Sequence, residues 1–134
     1  MADERAIASH VAPRITRAAE AAGRPAPRIV AGIPVCLCLD EEVGAAVDRT
    51  NRILAEAEVS PNYQRLLDAG DASAVGDILA AGGESTVEKR IRAFVDAGAT
   101  DISVRVVPLG DDRDQRLASM RRTREFLASL AGAL

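Results

Sequence analysis

Cys36 and Cys38 stand at i and i+2 inside the apolar run RIVAGIPVCLCL (28–39), so on a strand both thiols point to one face. A strand rises about 3.3 Å per residue, which sets their Cα atoms close to 7 Å apart and disfavours a local disulfide. Two cysteines and the single His10 do not make a zinc set, and the thiols read as buried structural groups. In TDISVRVVPL (100–109), Arg105 shares a strand face with Ser103 and Val107, opposite Ile102, Val104 and Val106. Asp111, Asp112, Arg113 and Asp114 read as a solvated turn that caps a helix. His10 and Tyr63 fall singly on helical patterns, as a surface histidine and a packed tyrosine, with no partner for acid–base work. There is no P-loop, dinucleotide fingerprint or nucleophile elbow. No catalytic residue is identified.

The elements that must position these groups alternate between helix and strand. Ile7, Val11, Ile15, Ala18 and Ala22 recur at helical spacing, which predicts a helix over 3–22 that Gly23 stops. Pro13 lies inside it and predicts a kink near Val11, or two short helices with Pro13 in the first turn of the second. The run 28–39 reads as a strand buried on both faces, with Gly32 and Pro34 marking a bulge or irregular stretch. Asp40 then reads as the N-cap of a helix carrying Val43, Val47, Ile53, Leu54 and Ala57. Ser60-Pro61 predicts a short helix through Tyr63, Leu66 and Leu67 to Gly70. Another helix is expected with Val75, Ile78 and Leu79, closed by Gly82-Gly83. Ser85 and Glu88 form a capping-box pattern for a helix on Val87, Ile91, Phe94 and Val95, ended by Gly98. A second strand spans 100–109, and a last helix runs over 113–130 on Leu117, Met120, Leu127 and Leu130.

The expectation is therefore an α/β chain, one domain over residues 1–134, with two parallel strands and about six helices. Two strands rarely make a stable sheet, so neighbours from another chain or a larger fold are expected. Of the 134 residues, 26 are Ala, 33 are Val, Ile, Leu or Phe, and three are aromatic, so the core is thin and helix-rich. The formal charge of −3 argues against a general nucleic-acid binder. No apolar run approaches 18 residues and no signal-peptide pattern opens the chain, so no membrane partner is expected and the cytoplasm is the default compartment.

RIVAGIPVCLC with its acidic sequel, SPNYQRLLD, GGESTVEKRIRAFVDAGATDISVRVVPLG and SMRRTREFLASL together resemble the carboxy-terminal portion of a luciferase-like monooxygenase family protein. The likeness is closest to the actinobacterial oxidoreductases that use coenzyme F-420, and it spans residues 2–130. It implies the end of a TIM (β/α)8 barrel, with strands 28–39 and 100–109 standing for the seventh and eighth. It also implies hydride transfer with coenzyme F-420 (alternatively FMN), with function at the carboxy-terminal strand ends. On that footing Gly83, Ser85 and Thr86 at a helix start could hold a cofactor phosphate, with a plain helix cap as the competing reading. Arg105 would face the barrel interior and could clamp a carboxylate or phosphate, against an internal ion pair or an arginine left exposed. The family's amino-terminal half has no counterpart here, so the chain alone is expected to be weak or inactive. Either a homo-oligomer or a complementary barrel half would complete it. The alternative is a non-enzymatic α/β subunit or interaction module that self-associates through its incomplete sheet.

Overall fold

A computed structural model describes residues 3–58, 61, 65, 68 and 71–132, the side chains of 55–58 excepted. The apolar run forms strand β1 (Val30–Leu37), the middle of a three-stranded parallel sheet. Strand β3 (Asp101–Val106) pairs along it from Val30–Asp101 to Val35–Val106. Strand β2 (Ala80–Gly82) pairs on its other side, from Val35–Ala80 to Leu37–Gly82. The strand count of two is thus corrected to three. β2 lies where the sequence reading put a helix on Val75, Ile78 and Leu79. Val75–Ile78 is instead a 3-10 turn leading into the strand. Ala-Ala-Gly has no β-branched side chain to signal a strand; the strand exists because β1 offers it a ladder.

β1 runs without a bulge through Gly32 and Pro34, contrary to expectation. The reason lies in which neighbour each residue faces. The Val35 carbonyl accepts from Val107 N–H on the β3 side, and Cys38 N–H donates to the Gly82 carbonyl on the β2 side. Even-numbered residues of β1 therefore turn toward β2, and the β2 ladder begins at Val35. Pro34, which has no N–H, sits just before it, where no donor is required.

Helices cover the sheet unequally. Ile33 and Val35 pack in one cluster with Val87, Ile91 and Phe94 of helix α4 (Glu84–Asp96), Ile7, and Phe126 and Leu127 of helix α5 (Arg113–Leu130). The opposite face holds Cys36, Cys38 and Val107, packed with Val43, Ala46 and Val47 of helix α3 (Val43–Glu58). α3 follows β1 on one face, whereas α4, which joins β2 to β3, lies on the other. Two crossovers that travel in opposite directions belong on opposite faces when both are right-handed, which is the doubly wound arrangement.

The amino-terminal helix divides as Pro13 requires. Helix α1 (Glu4–Ala6) passes into a π-helical turn, Ile7–Val11, and helix α2 (Ala12–Ala21) restarts with Pro13 in its first turn. Asp3 caps α1 and is 4% exposed. Glu4 forms an ion pair with Arg90, whose guanidinium carbon lies 5.4 Å from the centre of the Phe94 ring.

Three expected apolar stripes shift. Ile53 (41%), Val95 (38%) and Leu117 (46%) are exposed. On α3 the buried stripe is Ala46, Thr50 and Leu54, with Thr50 Oγ1 donating to the Ala46 carbonyl at 2.8 Å. The expected helix through Tyr63, Leu66 and Leu67 falls on residues outside those described. No described helix is long and apolar enough to cross a membrane.

Candidate functional site

The carboxy-terminal ends of the three strands meet at one rim, where open α/β sheets place their ligands. Leu37, Cys38 and Leu39 of β1 and its sequel border a cleft of about 460 Å³ with Glu42 and Arg122. The cleft's neighbour is lined by Leu37, Arg122, Phe126, Glu84 at the start of α4, Glu125 and Ser129. The local chain path differs from the expected cap at Asp40. Asp40–Glu42 is a 3-10 turn, and Glu42 reaches back so that its Oε2 accepts from Leu39 N–H at 2.9 Å. Asp40 turns toward β2 instead: a Cβ on Gly82 would lie 3.7 Å from its Oδ1 and 3.3 Å from Thr86 Cβ. Gly82 has φ +128°, so its lack of a side chain serves both the close approach and the backbone turn.

α4 starts at Glu84 with Gly83 as N-cap, two residues earlier than the Ser85 capping box predicts. Gly83 has no side chain to cap the helix, and Ser85 and Thr86 lie within its first turn. These three expected cofactor-binding residues are together at the rim. Their electrical surroundings are acidic: Glu84 is in the same turn and Asp40 stands beside Thr86. The helix dipole is thus already matched by carboxylates.

Arg105 is elsewhere. It pairs with Pro34, three residues before Leu37 and two strands from Gly82. Strand rise and spacing put it about 14 Å from the α4 start. Its residue is exposed on β3, next to exposed Ser103 and Val104, and among the described residues it has no ion-pair partner. Of the two competing readings, the exposed arginine is the one found.

Cys36 and Cys38 are free and buried on the α3 face, as their spacing implies. Burial pushes the Cys36 thiol up to about 12, and Cys38 and Glu42 add to the effect. Burial also raises Cys38, against the opposing hydrogen bond with the Gly82 backbone. Both are poor nucleophiles at neutral pH. His10 accepts from Arg14 at 3.0 Å on the exposed face of the first helical region. Asp112 caps α5 by accepting from Gln115 N–H at 2.8 Å, as the charged turn suggests. Among the described residues no group of three ligating side chains is placed to hold a metal ion.

Two rim residues escape apolar-stripe reasoning. Ser119 and Thr123 are buried on α5, one helical turn apart. Ser119 Oγ accepts from Leu109 N–H at 3.0 Å and Thr123 Oγ1 accepts from Leu37 N–H at 3.2 Å. They take over the backbone donors of β3 and β1 where the ladder ends. The signal was present as a small hydroxyl pair at i, i+4, which an apolar count passes over. Comparisons with family models, curated proteins and solved structures yield no match for this chain.

Proposed function

We propose that the chain is a carboxy-terminal portion of a luciferase-like oxidoreductase that works with coenzyme F-420 (or FMN), with β1 and β3 as the last two strands of its (β/α)8 barrel. One observation carries the reading beyond the sequence likeness: the bare polar strip of Ser103 and Arg105 on β3. Ile102, on the other face of the same strand, packs into the helix-covered core. A barrel wall seen without the strands across its lumen would leave polar lumen residues bare, although here α3 packs on this same face farther along, over Cys36, Cys38 and Val107. In that setting Arg105 suits an anionic group of the coenzyme or substrate. The α4 start suits one poorly, because Asp40 and Glu84 already occupy its field. The fit is thus partial, and no hydride-transfer step is assigned to a residue of this chain. Activity would need a complementary barrel half. Titration of the purified chain with reduced coenzyme F-420, read by absorbance, should show no turnover; tight binding with turnover would refute the fragment reading.

A second reading has its own support. The order β2-β1-β3 places β2 on the β1 edge that a preceding barrel strand would need. A doubly wound sheet of that order can serve as a non-enzymatic binding or interaction module, self-associating through the outer edge of β3. Light scattering at low concentration separates the two. A stable dimer supports the module, and a monomer that binds only a separately expressed barrel half supports the fragment.

A further inference from the structure

A third cleft at the rim lies on the α3 side and has a different character. About 290 Å³ in volume, it is lined by Glu42, Ala45, Arg49 and Arg52 from the α3 side and by the 109–111 turn and Gln115 opposite. Ala45, Arg49 and Arg52 follow one another at i, i+4 and i+7, so both guanidiniums lie on one stripe of α3. The buried stripe of Ala46, Thr50 and Leu54 fixes that rotation. The position is the switch point of the sheet: α3 leaves β1 on one face and α5 leaves β3 on the other, which opens a crevice between them. Gly110 makes the far wall close-fitting, since a Cβ there would come within 2.5 Å of Gln115 Cβ.

Neither arginine forms an ion pair among the described residues. Arg49 Nε is buried and has no acceptor. A buried guanidinium donor without an acceptor costs stability, and protein sequence has cheap ways to avoid it. We propose that this cleft binds a small phosphate ester of a polyhydroxyl compound, with Arg49 and Arg52 on the phosphate. Two guanidiniums on one stripe match the charge and planar geometry of a phosphate. Glu42 and Asp111, on the same lining, repel either phosphate alike, but their carboxylates accept hydrogen bonds from sugar hydroxyls, which only the ester brings. That combination selects the ester over free phosphate. The volume lies at the small end of ligand sites and suits a sugar phosphate. The inference does not depend on the barrel reading.

Calorimetric titration of the full chain with ribose 5-phosphate, inorganic phosphate and ribose, at constant ionic strength, tests it. Ribose 5-phosphate should bind saturably, more tightly than inorganic phosphate, and ribose should not bind. Arg49→Gln and Arg52→Gln should each weaken the ester about tenfold or more, while Arg14→Gln on the remote helix α2 leaves it unchanged. Without ligand, Arg49→Gln should leave the melting temperature unchanged or raise it. The proposal is overturned by absent binding, by unchanged affinity in both variants, or by equal affinity for inorganic phosphate. A lower melting temperature in ligand-free Arg49→Gln would equally overturn it, by making Arg49 structural.

Discussion

Asp3 joins two distant parts of the chain, and its replacement has a calculable cost. Its Oδ1 accepts from Ala6 N–H at 2.8 Å, closing the first turn of α1. Its Oδ2 accepts from Asp71 N–H at 2.5 Å and Ala72 N–H at 3.1 Å, just ahead of the turn that leads to β2. Asp3→Ala removes all three bonds. Loss of the cap costs about 1 kcal/mol. The two remaining donors are partly buried, so each contributes about 1 kcal/mol, the low end of the range for an orphaned donor. The expected total is about 3 kcal/mol. Asp3→Asn keeps an oxygen for the cap but turns an NH₂ toward two N–H groups, so its expected loss is about 2 kcal/mol. Urea unfolding followed by circular dichroism reads both values. With a slope near 2 kcal/mol/M, the midpoint should fall by about 1.5 M for Ala and about 1 M for Asn. A drop under about 0.5 M for Asp3→Ala would refute the reasoning, because it would mean that water satisfies those donors. Equal losses for Ala and Asn would show that the cap contributes nothing.

Phe94 is wholly buried between α4 and the sheet, so Phe94→Ala should cost about 3–5 kcal/mol in the same unfolding assay. Hydrogen bonds from Arg28 and Thr100 hold the Asp101 carboxyl down at about 2. Its folded value is depressed below the ordinary one near 3.9, so its contribution is present above about pH 4 and lost as pH falls toward 2. Asp101→Asn should flatten that part of the acid limb in urea midpoints measured from pH 5 to 2. Cys36 behaves oppositely. Burial raises its folded value to about 12, so stability is full below the unfolded value near 8.5 and falls as pH rises from there toward 12. Cys36→Ala should lessen that alkaline loss. In the unaltered chain, a thiol reagent at pH 8 should modify Cys36 only as fast as the protein unfolds.

The chain's periodic segments were legible because burial there follows apolar spacing: β1, β3, α4 and the division at Pro13 all appear near their expected places. Failures have a common physical origin in contacts between elements. β2 is Ala-Ala-Gly, whose strand state comes from its neighbour's open backbone and not from its own propensity. α5 turns Ser119 and Thr123 inward, and Leu117 outward, because two strand-end N–H groups need acceptors. Asp40 falls inside the turn because the turn begins one residue earlier, with Leu39 in the cap position and its N–H bonded to Glu42. At the rim, spacing located Gly83, Ser85 and Thr86 together but could not show that Arg105 lies two strands away. Arg49 and Arg52 carry no pattern that spacing alone singles out; only the rotation of α3 shows what they face.

Pro34 also limits how many copies of this chain can join. An added strand on the β2 side of β1 would find no donor at Pro34 and, beyond it, a ladder already filled by β2. β2 itself offers three residues before the chain turns away at Gly82. Among the described residues, β3, with six residues, is the long template. Two copies meeting β3 to β3 through a two-fold axis would each spend that template on the other. Among the described strands the sheet thus offers one long edge, and pairing through that edge alone would close at two copies and not run on into a filament.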